Sequence, residues 1–290
     1  MIVLGFDTAT RSTAVGLRLA GGETLQSRDD PGPGEHPGHA TRLLGMTDEL
    51  LNRAGIGWNA LERIAVGLGP GTFTGLRVGI STARGLAQSL GIELVGVSSL
   101  RALAEPALRS ELGAKSSDPS GCLNRVLAVL DARRGEAFAA AYRMTDLGST
   151  DELVPPRALA PEDLGSTVAQ AEARRGGEHG GPWRAVGDGA IRFRGRLEAA
   201  GVVVAPDSSP LHLLSAEAIC DLGVSAAAAV ACEAIVPDYR RRPDAEIAFE
   251  RARDLGEAQV AGGTQGAEGA RDLQGVQVSS GVPTGRGAEQ

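Results

Sequence analysis

Two short runs of small and hydroxyl-bearing residues in this chain have the chemistry to contact a phosphate group. The first is Asp7-Thr8-Ala9-Thr10, which directly follows an apolar segment. A carboxylate and hydroxyls at the end of a strand could meet a metal-bound phosphate. The same residues also suit an ordinary turn, because Asp and Thr side chains often bond to their own backbone. The local sequence leaves both interpretations open.

The second run is Gly69-Pro70-Gly71-Thr72, which joins an apolar segment to a helix-like one. The unpaired amides at the start of a helix can bind an anion. The run lacks the lysine of a Walker loop and does not have the Gly-x-Gly-x-x-Gly spacing. Tight packing between the strand and the helix would explain its glycines equally well. If a nucleotide binds, the predicted contacts are Asp7, Thr8, Gly69, Gly71 and Thr72.

Few other residues have catalytic or metal-binding potential. His36 and His39 are separated by Pro-Gly and have no apparent third ligand, so we predict no metal site. No Ser/His/Asp or Cys/His arrangement predicts a catalytic residue. The cysteines, Cys122, Cys220 and Cys232, are odd in number and form no Cys-x-x-Cys, which is typical of free thiols in a reducing cytosol. The net charge of −7 argues against binding of a nucleic-acid backbone by this chain alone.

The elements around these runs form an α/β pattern. A Gly-Gly pair between two alternating segments predicts a hairpin. Parallel strand–helix units follow it. The predicted strands are 2–6, 13–19, 23–28, 63–68 and 93–97, and the predicted helices are 39–54, 75–90 and 100–108.

The opening pattern recurs in the second half of the chain. Residues 126–131 parallel residues 2–7, since each run is an apolar strand that ends in aspartate. This similarity predicts a duplicated α/β unit. Further predicted strands are 136–142, 185–187 and 202–205, and further predicted helices are 161–173, 191–200, 210–222 and 225–233.

The predicted organisation is an N-terminal α/β subdomain at 1–110, a linker at 111–124, a C-terminal α/β subdomain at 125–250 and a tail at 251–290. The tail is rich in Gly, Gln and Ala without apolar periodicity, so we expect it to be disordered. The N-terminal apolar run has no basic residues before it and does not suit a signal peptide. The longest apolar run, 226–232, is too short to cross a bilayer. These features predict a cytoplasmic protein without membrane contact.

Four motifs, in a fixed order, are similar to those of a known family. They are IVLGFDTAT from residue 2, GLGPGTFTGLRVG from residue 67, LDARRGE from residue 130 and VPDYRR from residue 236. Together they resemble the TsaB family, the dimerisation subunits of the bacterial complexes that make threonylcarbamoyladenosine in tRNA. The resemblance spans about residues 1–243. It implies an actin-like or Hsp70-like ATPase fold, which is ribonuclease H-like, with two duplicated subdomains.

The resemblance also implies a role other than catalysis. The catalytic paralogue, TsaD, carries a His-x-x-x-His pair that binds metal soon after its own Gly-Pro-Gly loop. Ser99 and Leu103 stand at the matching positions of this sequence. A hydroxyl and an isobutyl group cannot replace two imidazoles on a transition metal. The resemblance therefore implies a chain that needs no cofactor of its own, with ATP or ADP possible at the interface of the assembled complex.

The partners implied by the resemblance are TsaD, a small P-loop ATPase called TsaE and, as an alternative to TsaD, a second copy of this chain. Pairing with TsaD would use the helices at 39–54 and 75–90, and small residues suit close helix packing. TsaE would dock where the two paralogues meet. The adenosine beside the anticodon of ANN-decoding tRNAs would be reached only through the complex. The predicted interface residues are Leu43, Thr47, Leu50, Gly75, Val78, Gly79, Ser81, Thr82 and Gly85.

Two other functions compete with this interpretation. The chain could be an independent actin-like ATPase or small-molecule kinase that uses Asp7 and the 69–72 loop. It could also be a metallopeptidase, which is the weakest hypothesis because no plausible set of ligands is present.

Overall fold

A computed structural model describes residues 1–32, 34–113, 124–145, 147–173 and 182–240 of the 290 residues. The predicted tail at 251–290 and nearly all of the predicted linker at 111–124 lie outside the described residues. The start of that linker is helical, because the third helix continues to Gly113. Each described helix is too short or too polar to span a bilayer.

The first half of the chain forms a five-stranded mixed sheet. Its spatial order is β3-β2-β1-β4-β5, with β1 antiparallel to β2 and parallel to β4. The strands are β1 Val3–Asp7, β2 Thr13–Arg18, β3 Thr24–Asp29, β4 Arg63–Gly67 and β5 Glu93–Val97, and the helices are α1 His39–Ala54, α2 Phe73–Leu90 and α3 Ser99–Gly113.

The second half repeats this arrangement. Its sheet has the order β8-β7-β6-β9-β10, and β6 is antiparallel to β7 and parallel to β9, as β1 is to β2 and β4. This repetition confirms the predicted duplication and the actin-like, ribonuclease H-like fold. The strands are β6 Arg125–Arg133, β7 Glu136–Met144, β8 Thr150–Leu159, β9 Arg184–Val186 and β10 Val203–Val204, and the helices are α4 Leu164–Ala173, α5 Asp188–Arg192, α6 Arg194–Ala199 and α7 Ala216–Ser225.

The sequence did not predict β8, which contains Pro155 and Pro156. Proline cannot donate to a strand ladder, so its presence argues against a central strand. β8 lies at the edge of its sheet, where one side of the strand needs no partner. The edge position therefore explains why two prolines are accommodated.

The helix predicted at 225–233 is wrong. After α7, the alanine-rich segment bends, and only Cys232–Ala234 form a short 3-10 turn. The Arg63 side chain on β4 donates hydrogen bonds to the carbonyl oxygens of Gly223 and Ala226 at 2.8 and 3.1 Å. These hydrogen bonds stabilise the backbone where α7 ends. Their contribution outweighs the helix propensity of the alanines that follow.

Helix α7 comes from the second half of the sequence but packs on the first sheet. A Cβ atom added at Gly5 on β1 would lie 2.6 Å from Cys220 Sγ on α7. A Cβ atom at Gly16 on β2 would lie 2.9 Å from the Ala216 carbonyl oxygen. Glycine in both strands therefore allows this close approach, and the described residues from Met1 to Arg240 belong to one compact unit.

Candidate functional site

The carboxylate of Asp7 connects three elements at the end of β1. The residue is only 1% exposed. Its Oδ1 accepts a hydrogen bond from the Ala9 amide at 2.7 Å, and its Oδ2 accepts one from Ser99 Oγ at 2.5 Å. Ser99 Oγ in turn accepts a hydrogen bond from the Gly69 amide at 3.1 Å. We call these three residues, Asp7, Ser99 and Gly69, the buried network.

The space around this carboxylate is filled by the protein itself. A Cβ atom at Gly67 would lie 1.9 Å from Asp7 Oδ2, so only glycine fits beside it. Burial raises the pKa of Asp7, while the hydrogen bonds from Ser99 and Ala9 oppose the rise. The carboxylate is thus held by internal donors and is closed to solvent.

Thr8 links the same turn to α2. The residue is fully buried, and its hydroxyl donates a hydrogen bond to the Gly75 carbonyl oxygen at 2.8 Å. A Cβ atom at Gly75 would lie 2.0 Å from the Thr8 carbonyl oxygen, and one at Gly79 would lie 2.2 Å from Thr8 Oγ1. The glycines of α2 therefore allow the helix to pack directly on this turn.

The loop before α2 contacts the other side of the turn. The Thr72 amide donates a hydrogen bond to the Ala9 carbonyl oxygen at 2.7 Å. A Cβ atom at Gly71 would lie 2.3 Å from that same oxygen. The two runs that the sequence suggested for phosphate binding thus pack against each other.

The five predicted nucleotide contacts are brought together, but they contact one another. Asp7, Thr8 and Gly69 are buried and bonded within the chain in this conformation, and their contact with a nucleotide stays a prediction. The turn interpretation explains them better. Gly71 and Thr72 are partly exposed, and their contact with a nucleotide stays a prediction.

A cleft with a volume of about 240 Å³ opens near this turn and is lined by residues from both halves. Pockets for small molecules typically have roughly 300–1,000 Å³, so the cleft is small for a nucleotide. The sequence did not identify it because its walls come from distant parts of the chain. Its lining residues are Thr10, Arg11, Ser12, Arg28, Asp30, Pro31, Leu130, Asp188, His212, Leu213 and Leu214.

Charged side chains in this cleft are bonded to neighbouring groups of the chain. Asp30 accepts hydrogen bonds from Ser12 Oγ at 2.5 Å and Arg28 Nε at 2.8 Å. Burial acts to raise the pKa of Asp30, but these two hydrogen bonds outweigh it and lower the pKa. Asp188 accepts a hydrogen bond from the Asp131 amide at 2.9 Å, and burial raises its pKa. The cleft therefore presents carboxylates as well as arginines, which does not favour a polyphosphate.

The positions that match the metal-binding histidines of TsaD are packed into the interior. Ser99 and Leu103 are both fully buried. Ser99 belongs to the buried network, and Leu103 approaches Gly187 so closely that a Cβ atom there would lie 2.8 Å from Leu103 Cδ2. Within the described ranges, no three His, Cys, Asp or Glu side chains are grouped as a metal ion requires. The residues present do not suit the metal centre of the catalytic paralogue.

Five of the nine predicted interface residues face the interior. Leu43 and Leu50 on α1 belong to the hydrophobic core. Thr47 on the same helix is a buried polar residue, and all three are at most 1% exposed. Gly75 and Gly79 on α2 are buried against Thr8. The apolar stripe of α1 and these glycines pack within the chain, and a role for them in a partner interface stays a prediction.

The other four predicted interface residues reach the surface of α2. Ser81 and Gly85 are exposed, and Val78 and Thr82 are partly exposed. Leu44 on the neighbouring helix α1 is 48% exposed, and the sequence interpretation missed it. It lies one heptad before Leu51, which is buried, so the helical period alone does not reveal its exposure.

Comparison with known proteins agrees with this architecture. The family model described as TsaD, tRNA N6-adenosine threonylcarbamoyltransferase, matches residues 35–249. The chain is 33% identical to the tRNA threonylcarbamoyladenosine biosynthesis protein TsaB of Escherichia coli K12 over 189 residues, which cover 65% of this chain and 72% of that protein. It is 32% identical to the TsaB protein of Bacillus subtilis 168 over 117 residues, which cover 40% of this chain and 45% of the relative.

A solved structure shows the same fold. YeaZ from Pseudomonas aeruginosa superposes with a TM-score of 0.61 at 28% identity, covering 82% of this chain and all of that one. The duplicated sheets, the motif order and these matches lead to one conclusion. The chain belongs to the TsaB group within the TsaD family of tRNA threonylcarbamoyladenosine biosynthesis proteins.

Proposed function

We propose that this chain is a non-catalytic scaffold subunit that pairs with TsaD, activates it and helps to recruit TsaE. The observation that supports this role is the closed end of β1. The buried network binds the Asp7 carboxylate with internal donors at the place where an actin-like enzyme would handle phosphate. Ser99 and Leu103 offer no imidazole at the positions of the paralogue's metal ligands.

The exposed strip of α2 is the proposed pairing surface. It consists of Val78, Ser81, Thr82 and Gly85, and we propose that the exposed Leu44 of helix α1 belongs to the same surface. Short side chains allow the backbones of two helices to come close together, and an exposed leucine provides apolar area to bury. The same strip would serve a homodimer when TsaD is missing.

Nucleotide and RNA enter this proposal through the assembled complex. The chain's own turn is closed and its cleft is small, so ATP or ADP would bind where the subunits meet. The tRNA substrate would likewise be modified by the complex, in the cytoplasm. The runner-up, an independent ATPase or kinase, requires an accessible Asp7, which this conformation does not provide.

The pairing is tested by mixing the purified full chain with TsaD of the same organism and measuring the elution volume by size-exclusion chromatography. Ser81→Trp places a large side chain on the exposed strip and is expected to abolish the shared peak. The matched control is Ser166→Trp on α4, which is also exposed but lies in the second half. It should leave pairing intact.

Activity gives the second readout. The chain alone should form no threonylcarbamoyladenosine on tRNA, whereas addition of TsaD, TsaE, ATP and the threonylcarbamoyl precursor should restore modification. Modification of tRNA by the chain alone would overturn the scaffold role. Normal pairing by Ser81→Trp would move the docking surface away from α2.

A further inference from the structure

Two aromatic rings and an arginine form a stack on the surface near the start of α2. Phe73 and Tyr239 are 40% and 42% exposed, and their ring centroids lie 5.3 Å apart at an interplanar angle of 27°. Arg77 Cζ lies 3.8 Å from the centre of the Phe73 ring, and Arg77 Nε donates a hydrogen bond to the Tyr239 hydroxyl at 3.0 Å. We call Phe73, Arg77 and Tyr239 the aromatic–arginine stack.

The exposure of these rings is unusual for this chain. It contains only five Phe and two Tyr residues, yet one of each lies together at the surface. If the two rings served only to stabilise the fold, we would expect them to be buried, because aromatic side chains stabilise a protein most when they are removed from water. The stack leaves ring surface open to solvent, so a contact with another molecule is the better explanation.

The segment that carries Tyr239 is hydrogen-bonded to α2 and to the loop that precedes this helix. The Asp238 amide donates a hydrogen bond to the Leu68 carbonyl oxygen at 2.8 Å. Arg84 Nε donates a hydrogen bond to the Ile235 carbonyl oxygen at 3.0 Å. The stack is therefore preorganised, which reduces the entropy cost of binding a ligand.

The charge near the stack differs from that of the whole chain. Arg77, Arg84 and Arg240 lie on or beside it, and Asp238 forms an ion pair with Arg240 at 2.6 Å. Within the part of the chain that the structure describes, no ion pair joins Arg77 to a carboxylate. Arginines beside two partly exposed rings contrast with the net charge of −7 of the whole chain.

This chemistry suits unpaired nucleobases. Bases in single-stranded RNA stack on aromatic rings and on guanidinium planes, and arginine also contacts phosphate. We propose that the aromatic–arginine stack contacts unpaired bases in a single-stranded loop of the tRNA substrate. This inference rests on the proposed function, because it places the contact within the modification complex.

The test is fluorescence anisotropy with a fluorescein-labelled, unmodified transcript of an ANN-decoding tRNA. It is titrated with the full chain and with the chain–TsaD complex. Tyr239→Ala and Phe73→Ala each remove one ring and should raise Kd about 5- to 100-fold, which corresponds to the loss of one stacked base. Tyr239→Phe keeps the ring and should retain most of the affinity.

The matched control is Val203→Ala, which trims a side chain of 46% exposure on the second sheet. It should leave Kd unchanged. Unchanged Kd in both ring variants would overturn the inference, as would an equal loss in the control. If the ring variants keep RNA affinity but lose co-elution with TsaD or TsaE, the stack is a protein contact and the RNA assignment is wrong.

Failure of the proposed function gives a different pattern. In that case the unaltered chain would not co-elute with TsaD, whatever its RNA affinity. The unfolding midpoint of each variant is measured in urea. If Tyr239→Ala is destabilised, Phe73→Ala and the comparison with Tyr239→Phe still decide the outcome.

Discussion

Gly79→Ala tests whether the small residues of α2 serve the fold or a partner. The added Cβ atom would lie 2.2 Å from Thr8 Oγ1, well inside contact distance. Thr8 cannot turn away without losing the hydrogen bond from its hydroxyl to the Gly75 carbonyl oxygen. A partner-based explanation predicts no cost in the isolated chain, whereas packing within the monomer predicts a clear one.

The expected magnitude follows from three contributions. Overpacking in a tight interior costs typically about 1–3 kcal/mol. Loss of the Thr8 hydrogen bond adds about 1 kcal/mol. Alanine gains about 1 kcal/mol over glycine in a helix interior. The net expectation is a loss of about 1–3 kcal/mol in the free energy of unfolding, or roughly 2–4 °C in Tm for each kcal/mol.

Two further variants make the experiment decisive. Gly85 lies on the same helix with no atom within 4 Å of an added Cβ, so Gly85→Ala should stabilise the chain by about 0.5–1 kcal/mol. In the Thr8→Ala background, the next atom facing the Cβ at Gly79 is the Thr8 Cβ at 3.5 Å, an ordinary contact. Gly79→Ala should then stabilise the chain by about 0.5–1 kcal/mol, as Gly85→Ala does.

Urea denaturation followed by circular dichroism is applied to the unaltered chain, Gly79→Ala, Thr8→Ala and the double variant as a double-mutant cycle, and to Gly85→Ala as the comparison. If Gly79→Ala is as stable as Gly85→Ala, the packing argument fails. The same holds if the cost of Gly79→Ala is independent of Thr8. The small residues would then be better explained by a partner.

Three further predictions concern buried polar groups. Ser99→Ala removes a donor to Asp7 and should lower the free energy of unfolding in urea by about 1–3 kcal/mol; no loss would contradict the buried network. The pKa of Asp7 is raised in the folded chain, which therefore binds the proton to higher pH than the unfolded chain. The free energy of unfolding of the unaltered chain, relative to that of Asp7→Asn, should therefore fall as pH rises above 3.8 and level off above the folded pKa of Asp7. A difference between the two proteins that does not change with pH would refute this prediction. Arg63→Lys replaces a guanidinium whose Nη1 donates to three backbone carbonyls at the end of α7, and it should lower the free energy of unfolding by about 1–3 kcal/mol in thermal unfolding; a stability equal to that of the unaltered chain would contradict the role of Arg63.

Much of the fold could be predicted from local patterns. The apolar strand ending in aspartate at 2–7 recurs at 126–131, and both runs form the central strands of equivalent sheets. Helix α1 has its predicted bounds, because its apolar stripe and the glycine after it mark both its face and its end. The edge strand β8 was missed, since prolines are excluded from central strands but tolerated at an edge.

The sequence predicted which residues come together at the candidate site, but it did not predict how they contact one another. The residues chosen for nucleotide binding do converge at the end of β1. Whether these residues bind a ligand or contact one another depends on small differences in the distances between their backbone segments. Gly71 and Gly75 could equally have left room for a phosphate, and only the packed chain shows that the 7–10 turn fills that room.

The amino-acid sequence by itself determined the α/β class, the duplication and the family, because these depend on periodicity and motif order along the chain. The tertiary structure decided which small residues face solvent. A helix that packs on two sides has the same composition whether its second neighbour is its own turn or another protein. The position of Thr8 against Gly75 and Gly79 shows that these two glycines pack on the chain's own turn, whereas four other small or apolar residues of α2 reach the surface, namely Val78, Ser81, Thr82 and Gly85.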